Sequence, residues 1–139
     1  MKYLIDTCLI SEGLRPRPDA GATAWMEACD RDRQYLSVLT LGELQKGVEK
    51  LGSTRRRDVL QAWLDRDVVD QFSGRILPVD SDVALTWGCM QASLERAGKP
   101  IPSLDGLICA TALTHNLVVV TRNTRDFAPT GVQLLNPWG

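Results

Sequence analysis

The chain has 139 residues, 44% of them hydrophobic and 24% charged, with 11 Gly and 7 Pro. That length suits one domain spanning 1–139, and the composition excludes disordered, collagenous and low-complexity classes. Sixteen Lys and Arg against 17 Asp and Glu leave a net charge of −1, so no global positive field draws nucleic acid or anionic lipid, and any such site must be local.

Other classes fall away on spacing. Cys8, Cys29, Cys89 and Cys109 are far apart, form no C-x-x-C pair and have only His115 to complete a zinc set. They stand in apolar runs, as reduced core cysteines do, which predicts neither a structural zinc nor a disulfide framework. The opening MKYLIDTCLISEG is interrupted by Asp6 and Glu12, carries no cleavage-site pattern and is too short to span a bilayer. A cytoplasmic protein without a membrane segment is expected.

In chain order, Tyr3-Leu4-Ile5 predicts a buried strand with Asp6 at its carboxyl end. Beyond Arg15-Pro16-Arg17-Pro18, Asp19 is placed to cap a helix through Ala28, with Trp25 and Cys29 on one face. Tyr35–Val38 predicts a second strand, and Thr40-x-x-Glu43 has capping-box spacing for a helix running to about Leu51 and closed by Gly52. Ser53 or Thr54 then caps a helix whose Val59, Leu60, Trp63, Leu64 and Val68 recur at helical spacing. A third strand, Ile76–Val79, precedes a helix capped by Asp80 or Ser81 and stopped at Gly98. After the Lys99–Pro102 loop, Ser103 opens an almost wholly apolar helix to about His115, with Asn116 as its stop. Leu117–Val120 and Val132–Leu135 predict the last two strands. Alternating strands and helices predict an α/β fold, a parallel sheet covered on both faces with its working site beyond the carboxyl ends of the strands.

At those exits, or on the helix turns that follow, stand Asp6, Glu43, Asp105 and Asp126. Clustered carboxylates repel one another unless a cation sits among them, and all-oxygen ligands favour Mg²⁺ or Mn²⁺ over zinc. That chemistry suits phosphodiester hydrolysis by water and needs no Ser–His or Cys–His nucleophile. Each acid also has a plainer reading: Asp6 as a helix cap, Glu43 as Thr40's capping-box partner, Asp105 as a dipole-complementing first-turn acid, and Asp126 as an Asx-turn residue. Spacing alone leaves both readings open. Arg55-Arg56-Arg57 points around a helix and reads as solvated surface, whereas Arg122 and Arg125 are better placed for a phosphate. Trp25, Trp63 and Trp87 read as core or interface, Trp138 is unassigned, and His115 receives no catalytic role.

Four ordered blocks, Tyr3-Leu4-Ile5-Asp6-Thr7, Leu36–Leu44, Leu104–Ala112 and Val120–Phe127, with the closing Asn136-Pro137-Trp138, resemble PIN-domain ribonucleases, specifically VapC/FitB-type toxins. The resemblance implies a five-stranded parallel sheet in the order 3-2-1-4-5, Asp6 and Asp105 as main metal ligands, Glu43 as a third acid and Asp126 as a more variable fourth. It further implies a homodimer, RNA cleavage dependent on Mg²⁺ or Mn²⁺, and inhibition by a small antitoxin whose C-terminal segment fills the groove. The RNA is unspecified, tRNA being one candidate, and operator DNA is met only through the antitoxin. Thr7 and Thr121 are expected to supply hydroxyl hydrogen bonds around the acids and, with Arg122 and Arg125, to line the substrate's path. Two positions depart from the family pattern: Cys8 stands where relatives commonly have Asn, and Asn123 where many carry another Asp. A rival expectation is a catalytically weak binding module within an antitoxin–DNA repressor complex. A receiver or aspartate-dependent phosphatase would need an acid at position 8 or an adjacent acidic pair.

Overall fold

Strands β1 (Tyr3–Ile5), β2 (Gln34–Ser37), β3 (Ile76–Leu77), β4 (Val118–Val120) and β5 (Leu134–Leu135) form one sheet in the computed structural model, which describes residues 1–139. Their order is β3-β2-β1-β4-β5, and every neighbouring pair is parallel. Period-2 alternation places successive side chains on opposite faces. Ile5, Leu36 and Val120 enter one apolar cluster with Leu9, Leu44, Val68 and Phe72, while Leu4 and Val119 enter the other with Ile108, Cys109, Ala112 and Phe127. Both faces are covered, so the strands are largely apolar and polar groups such as Gln34, Ser37 and Asp6 stand at the strand ends, where the backbone enters or leaves the sheet.

The helices are α1 (Thr7–Glu12), α2 (Ala20–Ala28), α3 (Val38–Glu49), α4 (Arg55–Ala62), α5 (Val69–Gln71), α6 (Ser81–Arg96), α7 (Ser103–His115) and α8 (Thr124–Phe127). None is long and apolar enough to cross a membrane. Side-chain caps at Asp19, Thr54 and Asp80 fall where expected, and Asn116 ends α7 in the left-handed conformation at φ 55°.

Several boundaries differ from expectation. The second strand stops at Ser37, whose hydroxyl accepts the Leu39 N–H and caps α3, so Thr40 and Glu43 lie inside the helix and form no capping box. Val38 has strand propensity but occupies the first helical position. β3 ends before Pro78, which cannot donate to a ladder, and β5 pairs only through Leu134 and Leu135. Between α4 and α5, Trp63–Val68 winds as a π-helical turn, which i, i+4 spacing does not foretell. All four thiols are free, but only Cys109 is a core residue; Cys8 and Cys29 are half-buried and Cys89 is exposed.

Helices α6 and α7 pack closely at Gly106. A Cβ there would lie 2.8 Å from Gln91 Oε1 and 3.0 Å from Trp87 Nε1. The Gln91 amide also donates to the Ile101 carbonyl at 2.8 Å, tying α6 to the loop that leads into α7. This crowding leaves Trp87 Nε1 and Gln91 Oε1 buried without partners, a desolvation cost that the helix contact must offset. Asp105 is the residue before Gly106, so the contact that excludes a methyl group also fixes where that carboxylate stands.

Gly106→Ala should therefore destabilise the fold by about 1–3 kcal/mol despite alanine's higher helix propensity. Gly47→Ala, where a Cβ meets nothing within 4 Å, should instead stabilise it by about 0.5–1 kcal/mol. Urea unfolding of both variants checks the contrast; equal effects would show that Gly106 is not a packing constraint.

Candidate active site

Strand order reverses between β1 and β4, and in open parallel sheets the crevice beyond the carboxyl ends at such a point is where ligands bind. Asp6 is the first residue after β1 and Thr121 the first after β4. Asp6 is buried and its N–H continues the ladder to the Val120 carbonyl at 3.0 Å. Its Oδ1 accepts the Thr7 N–H at 2.9 Å, so the residue does cap α1. Its Oδ2 accepts the Thr121 hydroxyl at 2.7 Å and the Cys8 thiol at 3.5 Å. Capping and site roles coexist in one carboxylate.

Glu43 projects from the second turn of α3 towards α1, where its Oε1 accepts the Thr7 hydroxyl at 2.7 Å. Asp105 stands in the first turn of α7, half-buried. Burial, and then the charges of Asp6, Glu43 and Asp126 in that order, push its carboxyl above the usual carboxylate range. The other three acids are thus within electrostatic reach of Asp105. Asp126 is exposed on α8; its side chain makes no Asx hydrogen bond, the turn being closed by its own N–H to the Asn123 carbonyl.

No cation is paired to these acids. The chain's ion pairs are Arg15–Glu12, Arg57–Glu49 and Arg57–Asp58, and none involves the four acids. No three Cys, His, Asp or Glu side chains are placed to hold a metal ion jointly. With fewer than three protein ligands on offer, the all-carboxylate set fits only a hard divalent ion that keeps several waters and takes one or two protein oxygens.

The supporting residues divide by exposure. Thr121 is wholly buried, which excludes substrate contact; its hydroxyl donates to Asp6 and accepts the Asn123 N–H at 3.0 Å, so it orients Asp6 and shapes the following turn. Thr7, half-buried, likewise spends its hydroxyl on Glu43. The Cys8 sulfur is within 3.6 Å of the Thr121 hydroxyl and accepts the Arg122 N–H at 3.5 Å, linking α1 to the chain leaving β4. Burial and the Asp6 charge push its thiol up, which keeps it a proton donor to Asp6. Arg122 and Arg125 are exposed and form no ion pair. Trp25 stacks edge-on with Tyr3 at 5.0 Å, Trp63 packs against the core, and Trp87 abuts Gly106. His115 lies exposed in the last turn of α7.

Sequence reasoning missed the role of Glu12. It is buried and accepts the Asp19 N–H at 2.9 Å and the Trp138 indole N–H at 3.1 Å, contacts that hold its carboxyl below the usual range. A charged residue among apolar neighbours in the opening segment was the available signal, but its partner lies at the far end of the chain.

Comparison with known proteins agrees with this geometry. A family model described as PIN domain matches residues 3–131. The chain is 39% identical over 135 residues to "Toxin FitB" of Neisseria gonorrhoeae, covering 97% of each chain. It is 36% identical to "VapC ribonuclease Y4jK" of Sinorhizobium fredii, covering 97% of this chain and 96% of that one. Among solved structures, FitAB bound to an IR36 DNA fragment superposes with a TM-score of 0.94 at 36% identity, over 99% of this chain and 96% of its counterpart. With the 3-2-1-4-5 sheet and the acids at its reversal point, these likenesses establish that the chain belongs to the PIN-domain family, among the VapC and FitB toxins.

Proposed function

We propose that this chain is a single PIN domain, residues 1–139, acting as the divalent-metal-dependent endoribonuclease of a toxin–antitoxin module. The observation that carries the reading is the convergence of Asp6, Glu43, Asp105 and Asp126 at the β1–β4 crevice with no Lys or Arg paired to them. Asp6 and Asp105 are the residues that would hold Mg²⁺ or Mn²⁺, with Glu43 and Asp126 completing the charge balance. When bound, such an ion supplies Lewis-acid polarisation of a phosphoryl oxygen and makes water acidic enough to attack at neutral pH. Asp6 is oriented for this by the Thr7 N–H and the Thr121 hydroxyl. Glu43 is held through Oε1 alone, which leaves Oε2 to orient a water and accept its proton. The exposed Arg122 and Arg125 offer guanidinium groups to the RNA backbone, tRNA being one candidate substrate.

A cleft of about 240 Å³ between α1, α2 and the π-helical turn, lined by Leu9, Ile10, Met26 and Trp63, is suited to an apolar antitoxin segment. Leu85 and Leu113, exposed on α6 and α7, support a homodimer with an apolar contact face. The likeness to the DNA-bound FitAB structure favours a second role for the same chain, as partner of an antitoxin on operator DNA in the cytoplasm.

Antitoxin-free protein should cut total RNA or tRNA with Mn²⁺ or Mg²⁺ and not in EDTA. Asp6→Asn and Asp105→Asn should each lower the rate by at least about 100-fold, and Thr121→Val by about 10–100-fold, since it removes a hydrogen bond that orients a ligand. Gel analysis of end-labelled RNA measures this; activity in EDTA or in the Asp variants would end the metal-dependent reading.

A second expectation concerns stability without metal. Because folding raises the Asp105 carboxyl's pKa, its favourable contribution is complete below the unfolded value of about 4 and is lost as pH rises through the folded value. At neutral pH the ionised group is a net penalty. Asp105→Asn should therefore melt higher than the parent in EDTA at pH 7, with the gap closing in acid, and Mn²⁺ should raise the parent's melting temperature but not the variant's. Thermal melts across pH, with and without Mn²⁺, test both statements.

A further inference from the structure

The closing segment Asn136–Gly139 straps across the junction of α1 and α2. The Trp138 indole N–H donates to Glu12 Oε1 at 3.1 Å, while Glu12 Oε2 accepts the Asp19 N–H at 2.9 Å. Asp19 Oδ2 in turn accepts the Gly139 N–H at 3.2 Å and the Ala22 N–H at 2.9 Å. The tail passes so close to α2 that a Cβ on Gly21 would lie 2.7 Å from the Pro137 carbonyl oxygen and 2.9 Å from the Gly139 nitrogen. Four separated positions, Glu12, Asp19, Gly21 and Trp138, thus agree on one placement of the indole.

Over that indole lies the Arg122 guanidinium, 5.9 Å from the ring centroid. Arg122 follows Thr121, whose hydroxyl is on Asp6, and its own N–H is on the Cys8 sulfur, so its backbone stands at the rim of the acidic site. An exposed guanidinium beside several carboxylates is drawn inward onto them, where it would neutralise the site. It forms no ion pair with any of them; Asp19, close enough for its charge to be felt, lies on the strap side. Cation–π attraction to a fixed ring supplies the competing hold.

We propose that Trp138 is a positioning residue for Arg122: the indole, anchored on Glu12, holds the guanidinium at the rim of the acidic site, where it receives a backbone phosphate of single-stranded RNA. This rests on the ribonuclease reading of that site. Ring and cation act as a unit, so their substitutions should be non-additive.

The test is a double-mutant cycle on the full chain with a mixed-sequence single-stranded RNA. It measures KM and kcat for cleavage, and salt-dependent binding in an Asp105→Asn background that binds without cutting. Arg122→Ala should raise KM about tenfold with kcat nearly unchanged, and should flatten the slope of log K against log salt by about 0.7, one phosphate contact on a single strand. Trp138→Leu, which keeps apolar bulk but removes the π face, should raise KM several-fold in the parent and not at all in the Arg122→Ala background. Trp138→Phe, which keeps a ring but loses the N–H that anchors it on Glu12, should recover only part of the loss. Additive effects or an unchanged salt slope in Arg122→Ala would overturn the proposal while leaving the ribonuclease reading intact. Retained KM with lost antitoxin affinity would assign the pair to the protein partner and overturn it also. A parent that neither binds nor cuts RNA would remove the ribonuclease reading and this inference with it.

Discussion

Negative charge gathered at one end of a buried parallel sheet is the constraint around which the rest of this structure is arranged. The strands are apolar on both faces, so a carboxylate enters the sheet only where the backbone leaves it, and Asp6 takes that position after the central strand. Its two oxygens are committed differently, one to the N-terminus of α1 and the other to Thr121 beyond β4. The residue therefore joins the two strands that diverge at the crevice, and its orientation is set before any ligand arrives. Preorganisation of this kind lets a site hold an ion through few protein oxygens without reorganising at the moment of binding.

Repulsion among the acids must be resisted mechanically, because no internal cation relieves it. Each acid is carried by a different element: Asp6 by the end of β1, Glu43 by α3, Asp105 by α7 and Asp126 by α8. None can retreat by fraying one segment. Asp105 feels this pressure from the other three acids, and it is backed through its neighbour, since Gly106 lets α7 close onto Trp87 and Gln91 while Gln91 ties down the loop leading into α7. Buried unpartnered atoms at that contact show local stability yielding to placement, as functional sites commonly do.

The sheet, its parallel sense and the positions of Asp6 and Asp105 were legible because they rest on short-range signals: apolar runs, a polar exit and caps three residues from the N–H groups they serve. The same signals misled at Thr40 and Glu43. Their spacing imitates a capping box, but Ser37 is the cap and Glu43 is turned to Thr7, a contact across 36 residues of chain that local chemistry does not encode. The π-helical turn at Trp63–Val68 was invisible for a related reason, since its widened winding depends on what the helix packs against. Asp126 resembled an Asx-turn residue until the turn proved to be closed by backbone alone, with Thr121 taking the side-chain role.

A near-neutral chain can still present a strongly polarised surface if its cations are held at chosen points rather than averaged. Arg57 is bound to Glu49 and Arg15 faces Glu12, so the formal balance of charge says little about the field at the crevice. That field is negative at its centre. On the ribonuclease reading, a divalent ion offsets part of it, and a polyanionic substrate is further favoured by counter-charge that stands at the rim without collapsing inward, which calls for a restraint that is neither another carboxylate nor solvent. An aromatic face meets that requirement: it attracts a guanidinium without cancelling its charge, and it leaves the N–H groups along the edge of the guanidinium plane free for phosphate oxygens. The strap that carries Trp138 is built from the opposite end of the chain and rests on the helix that Asp6 caps, so the negative centre and the positive rim share one support.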